Sequence, residues 1–316
     1  MEHVRLDALE PLGWPNAAVT VGNFDGVHRG HQALVAAAVA QARSLGGTSV
    51  ALTFDPHPSR VLSPDRAPRA LMTVEQKAEI LGGLGLDRLV VLPFTLELSR
   101  QSPEDFARLV LQGALGAKAV VVGVGFRFGH RRSGDVRLLA ELGERLGFRV
   151  QAIEPLLHEG APISSSRIRE ALARADVEAA RALLGRPFFV DGRVVAGQGR
   201  GRTIGVPTAN LELLNETLPG GGVYACRCSG REPASGPWNA VVNVGRRPTF
   251  GGGETTVEAH LLDFEGDLYG RMLRLQFLER LREERRFPGA EALVAQIRED
   301  IVRARALLEK PGSTAV

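Results

Sequence analysis

The sequence predicts a two-domain protein: a Rossmann-like α/β domain with a doubly wound parallel sheet, then an antiparallel β-barrel with a closing helix. The 316 residues suffice for two hydrophobic cores. Up to residue 153, β-branched runs alternate with helical segments of about ten residues or more, which is typical of parallel sheets. Beyond Gly185-Arg-Pro187, short β-rich runs punctuated by Gly and Pro replace this alternation. We therefore place the domains at 1–184 and 185–316.

In the first domain, five apolar or β-branched runs predict strands, and the segments between them predict helices. The predicted strands begin at Val19 and cover Thr48–Phe54, Arg88–Phe94, Lys118–Val124 and Phe148–Ile153. The predicted helices follow His31, span Glu75–Leu84, start at Ser102 and span Asp135–Leu146. The prolines of Asp55–Pro58 indicate a loop without a helix. Ligands of such sheets bind beyond the carboxyl ends of the strands, where these loops lie.

In the second domain, the runs that predict strands are Phe188–Val195, Val223–Arg227, Asn239–Val244, Thr255–Leu262 and Met272–Phe277. The last helix is predicted over Gly289–Leu308, with Leu293, Ile297, Ile301 and Ala304 on one apolar face.

Composition narrows the class of protein. A net charge of only +3 and 5% aromatic residues argue against nucleic acid as a partner. No secretory leader and no apolar run near 18 residues are found, so we expect a cytoplasmic protein without a membrane partner. Cys226 and Cys228 alternate along a strand and are interpreted as buried thiols rather than metal or redox ligands. The sequence identifies no protein partner.

The sharpest motif follows the first strand of the α/β domain: Gly22-Asn-Phe-Asp-Gly-Val-His-Arg-Gly-His31. Small residues let a backbone approach a ligand, and a helix amino terminus favours negative charge. His28 and His31, three residues apart, can face the same phosphate. No Gly-Lys-Ser/Thr occurs, which excludes a P-loop. The alternative is that Asn23 and Asp25 are ordinary turn residues and the histidines only begin a helix.

A second candidate for phosphate binding is Ile163-Ser-Ser-Ser-Arg-Ile-Arg169, which opens a helix. Its hydroxyls, its exposed N–H groups, Arg167 and Arg169 suit phosphate oxygens. The alternative, a serine cap with solvated arginines, is equally compatible with this segment alone.

A third motif is the glycine-rich run Gly197-Gln-Gly-Arg-Gly-Arg-Thr-Ile-Gly-Val-Pro-Thr-Ala-Asn210. Its backbone can donate to phosphates, and Thr208 and Asn210 offer oxygens to Mg²⁺. The alternative is glycines in turns. Glu258 lies on a predicted strand, where a lone carboxylate is usually solvated. Gly123-Val-Gly125 is not a dinucleotide fingerprint, because its third glycine falls one position late.

Taken together, the sequence resembles the prokaryotic bifunctional riboflavin kinase/FAD synthetase family over nearly its whole length. The resemblance rests on four motifs in the family's order: Gly22–His31, Ile163–Arg169, Gly205-Val-Pro-Thr-Ala-Asn210 and Val257-Glu258. It implies a first domain that adenylylates FMN with ATP and releases pyrophosphate, and a second domain that phosphorylates riboflavin with another ATP. Riboflavin, FMN, FAD and ATP are thus the implied ligands, with Mg²⁺.

For the first domain, the resemblance implies that His28 and His31 stabilise the α-phosphate. The residues implied to bind ATP phosphates there are Gly22, Asn23, Phe24, Asp25, Ser164, Ser165, Arg167 and Arg169. The residues implied to line the nucleotide or flavin are Asp55, His57, Phe126, Arg127 and Phe128.

For the second domain, the resemblance implies that Glu258 is the general base and that Thr208 and Asn210 place Mg²⁺ and the phosphates. Gly199, Gly201 and Gly205 are expected to bind phosphate through their backbone. Arg282 and Phe287 are candidates for the isoalloxazine ring, with packing at a helix entry as the alternative.

Two positions depart from the family pattern. The family usually places Asn or Asp before Phe-Arg-Phe-Gly, where this chain has Gly125. We expect the loss of one side-chain hydrogen bond to a ligand, on the order of 1 kcal/mol. Ser166 replaces a common Thr and keeps the hydroxyl.

Two other functions fit parts of the sequence: a nucleotidyltransferase for another phosphorylated acceptor, and a flavin-sensing module without turnover. Thr208–Asn210 with Glu258 argues against the first, and the intact His28, His31 and Glu258 argue against the second.

Overall fold

The structure is a computed structural model that describes residues 1, 3–197, 201, 205–231, 236–247 and 254–309, with backbone only at 246, 247 and 254. Its contacts divide the chain into two compact units, Met1–Ser164 and Ser165–Val316.

The first unit alternates strands and helices, as predicted. Its strands are β1 His3–Arg5, β2 Ala17–Val21, β3 Ser49–Phe54, β4 Arg88–Leu92, β5 Ala117–Gly123, β6 Arg149–Ile153, β7 Leu157–His158 and β8 Ala161–Pro162. Its helices are α1 Arg29–Ser44, α2 Pro58–Leu62, α3 Val74–Gly83, α4 Leu96–Ser99, α5 Pro103–Asp105 and α6 Val136–Leu146, with 3-10 turns at Pro64–Arg66 and His130–Arg132 and a π-helical stretch at Phe106–Ala114.

The main sheet of this unit has the order β1-β4-β3-β2-β5-β6, and all its pairs are parallel. Every residue of β2 is buried, because apolar clusters cover both faces. The doubly wound parallel sheet is therefore confirmed. The carboxyl ends of β2, β3 and β5 carry the loops in which the sequence places ligand-binding residues.

One local prediction in this unit is wrong. The prolines at Asp55–Pro58 do not exclude a helix, because Pro58 is the first residue of α2 and His57 caps it. A proline is tolerated there, since the first helical N–H has no partner within the helix. Strand β1, only three residues long, is absent from the predicted runs.

The second unit opens with helices α7 Ser165–Ala173 and α8 Val177–Leu184. Its strands are β9 Phe188–Val195, β10 Ala209–Leu213, β11 Gly222–Gly230, β12 Trp238–Arg247, β13 Glu254–Leu261 and β14 Met272–Arg282, followed by α9 Ala290–Leu308. The strands close into an antiparallel barrel of order β10-β13-β12-β11-β14-β9. This confirms the predicted barrel and its closing helix.

The barrel core explains the alternation along β11. Tyr224, Cys226 and Cys228 are completely buried, and the Tyr224 ring meets that of Phe277 edge-on at 5.3 Å. Both cysteines are free thiols, as predicted. Burial raises the pKa of Cys226 well above its ordinary value and that of Cys228 to about 12.

On the opposite face of β11, Val223 and Ala225 form an apolar cluster with Ala304 and Leu308 of α9. Helix α9 thus covers one side of the barrel. Strand β10 and helix α8 are not among the predicted elements. The contacts within the structure group residues from 165 onwards with the barrel. The domain boundary at 184/185, which the sequence suggests, therefore remains a prediction.

Candidate active sites

The turn between β2 and α1 brings His28 and His31 together. His28 is the N-cap of α1, and its Nδ1 accepts a hydrogen bond from the His31 backbone N–H at 3.3 Å. The two rings stack with centroids 3.6 Å apart and planes 16° apart. Because Nδ1 of His28 is an acceptor, its neutral ring carries the proton on Nε2. His28 can therefore donate from Nε2.

His31 is partly buried beside aromatic and charged neighbours. Its ring meets Phe24 edge-on at 5.3 Å, and its buried Nδ1 has no hydrogen-bond partner among the residues that the structure describes. Burial, reinforced by the charges of His28 and Lys77, lowers the pKa of His31 well below its ordinary value. Buried polar atoms usually have a hydrogen-bond partner, and a bound ligand would provide one for this ring nitrogen.

The other residues of this turn are held by hydrogen bonds and packing. Asp25 is buried, and its Oδ1 accepts from the Leu71 N–H at 2.9 Å. Phe24 is fully buried although its φ is +48°. An added Cβ on Gly22 would lie 3.3 Å from the Phe24 ring, and one on Gly30 would lie 3.2 Å from the His28 ring. The two glycines thus allow both rings to lie against the turn.

Residues after β3 extend this site. His57 Nε2 lies 3.0 Å from Nδ2 of Asn23, and its Nδ1 lies 2.6 Å from Ser59 Oγ. Asp55 is exposed at the end of β3. The predicted ligand residues Asn23 and His57 are therefore in contact.

The loop after β5 contains the second predicted lining segment. Phe126 and Phe128 stack at 5.5 Å, but Phe128 is buried in the core against Phe106. Arg127 is exposed, and its guanidinium lies 3.4 Å from Asp135. This leaves Phe126, which is only partly buried, as the ring that can meet a ligand. Gly125 is exposed, and nothing lies within 4 Å of an added Cβ there.

The serine and arginine motif falls at the boundary of the units. Ser164 ends the first unit, whereas Ser165, Arg167 and Arg169 lie on α7 of the second. Their joint action on one ATP with His28 and His31 remains a prediction.

In the barrel, strand register brings Asn210 and Glu258 together. Asn210 on β10 is the direct partner of Glu258 on β13, and Glu258 is in turn the partner of Asn243 on β12. Directly opposed side chains in antiparallel strands lie about 5 Å apart at Cβ and on one face. Glu258 is half-buried. The carboxylate is thus flanked by an amide on each neighbouring strand.

Thr208 is placed by the strand next to it. The His260 ring donates from Nδ1 to the Pro207 carbonyl at 2.8 Å, which ties the residue before Thr208 to β13. An added Cβ on Gly197 would lie 2.1 Å from the Asn210 amide, and one on Gly201 would lie 2.3 Å from the Val206 carbonyl. A side chain at either position would clash with these groups, so glycine is needed for the chain to pass this close to Asn210 and Val206.

Of the other glycines in this motif, Gly205 has φ +76°, the left-handed conformation that favours glycine. Gly199 lies outside the described residues. A pocket of about 110 Å³ borders Thr208, with Pro207, Leu261, Phe264 and Tyr269 in its walls. Its walls combine apolar and aromatic side chains with polar ones, including Asp267.

Arg282 and Phe287 lie where the barrel meets α9. The Arg282 guanidinium binds both carboxylate oxygens of Asp300, at 2.8 to 3.0 Å, and lies 5.5 Å from the Phe287 ring centroid. Asp300 is 4% exposed. This guanidinium joins β14 to α9, which fits the packing alternative better than a contact with flavin.

Sequence reasoning missed three residues that contact these sites: Lys77, Asn243 and His260. The signal for Lys77 is compositional, since only three of the 39 basic residues are lysines. Asn243 is placed opposite Glu258 by strand register, and His260 lies two residues after Glu258 on the same strand. Strand register cannot be read from the sequence, so neither residue could be singled out.

The parallel sheet with its histidine turn and the barrel with its carboxylate strand together define a two-part nucleotide-dependent transferase. The family model described as FAD synthetase matches residues 11–167, and the model described as riboflavin kinase matches residues 184–308. The bifunctional riboflavin kinase/FMN adenylyltransferase of Pseudomonas fluorescens is 42% identical over 91% of this chain and 92% of its own length. The enzyme of the same name from Escherichia coli K12 is 38% identical, with 91% of each chain covered.

The chain therefore belongs to the bifunctional riboflavin kinase/FMN adenylyltransferase family. This confirms the resemblance seen in the sequence and does not favour either alternative function.

A solved structure shows the same fold over almost the whole chain. It comes from Streptococcus pneumoniae, is described as a macrolide-efflux protein, and aligns with a TM-score of 0.88 at 31% identity, covering 96% of this chain and 99% of that one. Within the part of this chain that the structure describes, no helix is long and apolar enough to cross a membrane.

Proposed function

We propose that the turn of His28 and His31 is the site of adenylyl transfer from ATP to FMN. The observation that carries this assignment is the buried, unsatisfied Nδ1 of His31 in a ring stacked on His28, at the carboxyl edge of the sheet. Two imidazoles at a helix amino terminus offer N–H donors where an anion is favoured.

In this reaction an FMN phosphate oxygen attacks the α-phosphorus of ATP, the bond to the bridging oxygen breaks, and pyrophosphate leaves. His28 donates from Nε2 and neutral His31 from its protonated nitrogen to the α-phosphate oxygens, where charge develops. Ser164, Ser165, Arg167 and Arg169 are proposed for the β- and γ-phosphates. Asn23, His57 and Phe126 are proposed to border the nucleotide or flavin.

We propose that riboflavin phosphorylation occurs on the barrel around Glu258. Its carboxylate accepts the proton of the ribityl hydroxyl as that oxygen attacks the γ-phosphorus and ADP leaves. The register of Glu258 with Asn210 supports this role, because it places the base next to a residue proposed for the phosphates. Phosphoryl transfer depends mainly on such positioning.

The residues beside Glu258 fit Mg²⁺. Thr208 and Asn210 provide the hard oxygen ligands that this ion prefers, and strand register places Asn210 directly opposite the Glu258 carboxylate. When bound with ATP, Mg²⁺ neutralises phosphate charge. A cytoplasmic location and the absence of nucleic acid as a partner remain predictions.

A pair of variants tests the two assignments in one chain. Glu258→Gln should lower FMN formation from riboflavin at least about a hundredfold and leave conversion of FMN to FAD unchanged, because only the general base is lost. Products are resolved by chromatography after incubation with ATP and Mg²⁺. Glu212→Gln, an exposed carboxylate on β10, is the matched control. An equal fall in both reactions would show that the two-site assignment is wrong.

His28→Ala combined with His31→Ala should have the converse effect. FAD formation from FMN falls, because the α-phosphate loses both donors, while riboflavin is still phosphorylated. The control is His3→Ala, which removes an exposed histidine of β1. Unchanged FAD synthesis in the double variant would refute the phosphate site.

A further inference from the structure

Lys77 is a buried cation that the proposed mechanism does not use. It lies on α3 and is 7% exposed. Its Nζ donates to the Asn23 carbonyl at 2.7 Å and to Thr53 Oγ1 at 3.1 Å, and Thr53 Oγ1 also donates to the Asn23 carbonyl at 3.1 Å. Two side-chain donors, one from α3 and one from β3, thus converge on the backbone carbonyl of one residue.

That residue, Asn23, begins the turn that leads to His28. The turn needs external support, because Phe24 and Val27 have φ values of +48° and +38°, which non-glycine residues rarely adopt. Such conformations persist only where the surrounding structure fixes them. Burial of both side chains in one apolar cluster and the Asp25–Leu71 hydrogen bond supply part of this support. Lys77 and Thr53 fix its first peptide.

The position of Lys77 is itself well defined. Helix α3 begins with a complete capping box, in which Thr73 Oγ1 accepts from the Gln76 N–H and the Gln76 side chain accepts from the Thr73 N–H. Lys77 is the next residue along this helix. The cap therefore fixes the side of the turn from which the ammonium approaches.

We infer that Lys77 is a positioning residue for adenylyl transfer, which holds the Asn23 carbonyl and thereby the turn that presents His28 and His31 to the α-phosphate. This inference rests on the proposed role of the two histidines. Lys77 acts through its hydrogen bond to the backbone of the turn. It does not contact phosphate directly, as the lysine of a P-loop does.

The charges around Lys77 agree with this role. Burial lowers the pKa of Lys77 to about 8, against the opposing effect of Asp25 and Asp55, so the ammonium is still mostly protonated at pH 7. Its charge also acts on His31, whose pKa it lowers together with His28. The groups that face the ammonium are thus two carboxylates and the His31 imidazole, and its charge favours a neutral His31.

The test replaces Lys77 by the uncharged and similarly long methionine in the full-length chain. Lys77→Met should lower kcat for FAD formation from FMN roughly tenfold to a hundredfold, which is the effect of a small misplacement of reacting groups. Riboflavin phosphorylation by the same molecules should stay within about twofold, since that site lies on the barrel. Lys118→Met, an exposed lysine on β5, is the matched control.

A second readout follows His31 directly. In Lys77→Met, the pKa of His31 measured by NMR titration should rise, because a neighbouring positive charge is gone. FAD formation within about twofold of the unmodified chain, an unchanged pKa of His31, or an equal fall in both activities would each overturn the inference.

Thr53→Val provides the decision if Lys77→Met does not fold. It removes, at nearly constant volume, the Oγ1 that contacts both the ammonium and the Asn23 carbonyl. FAD formation should fall at least about threefold with the kinase reaction intact, and no change would overturn the inference. If instead the double histidine variant keeps full FAD synthesis, the proposed site itself is wrong, which separates the two failures.

Discussion

Gly125 is a residue at which the chain has room for a side chain that its family usually carries. It is exposed at the end of β5, with open space around an added Cβ. Gly125→Asn should lower the KM for FMN or ATP in FAD synthesis about fivefold, because one hydrogen bond to a ligand contributes about 1 kcal/mol. Steady-state kinetics of FAD formation measure this change.

The control is Gly125→Ala, which adds a Cβ without a polar group and should leave both KM values unchanged. If the two variants behave alike, the family's amide at this position makes no hydrogen bond here, and Gly125 is a neutral replacement.

Single residues also show the reach of sequence reasoning. His28 and His31 could be found because both belong to one local motif, and one helical turn brings them together. Lys77 could not be found in this way, since its hydrogen-bond partner Asn23 is 54 residues away in the sequence. Phe128 shows a different limit: this aromatic residue of a predicted ligand-lining motif is buried in the core, and its contact with a ligand stays a prediction.

Strand pairing in the barrel has a consequence for Asn243. The register sets it beside Glu258 on the side opposite Asn210. Asn243→Ala should lower kcat for riboflavin phosphorylation several-fold and leave FAD formation from FMN unchanged, because the carboxylate loses a polar neighbour in only one unit.

Asn239→Ala is the matched control, since it removes the same side chain from β12 four residues earlier. Equal effects of the two variants would show that proximity to Glu258 has no importance for the reaction.

Periodicity predicted most of the elements but not their partners. Alternating and helical apolar patterns located five of the six strands of the parallel sheet and the closing helix α9. Strand β10 was missed because its Ala-Asn-Leu-Glu-Leu sequence is short and follows a glycine-rich run. Strand register depends on contacts between distant segments, so the pairing of Asn210 with Glu258 could not be predicted from the sequence.

The division of the molecule into units can be tested with fragments. Helix α8 buries Val177, Ala180 and Leu183, and the Gly220 N–H of the barrel unit donates to the Leu172 carbonyl of α7 at 2.7 Å. A fragment 165–316 should therefore melt at least about 5 °C higher than 185–316, which exposes this apolar surface.

Circular dichroism melting of both fragments measures the difference, with riboflavin phosphorylation as a check of the native fold. Equal melting temperatures would favour the boundary at 184/185 that composition suggests.

The interior of the barrel also makes the molecule convenient for spectroscopy. Its two cysteines, Cys226 and Cys228, are completely buried, and their raised pKa values leave almost no thiolate at neutral pH. Maleimide dyes react with thiolates, so we expect the native chain to remain unlabelled. One cysteine introduced on each unit would then accept a donor or an acceptor fluorophore, and energy transfer between them would report whether the distance between the labels changes during turnover.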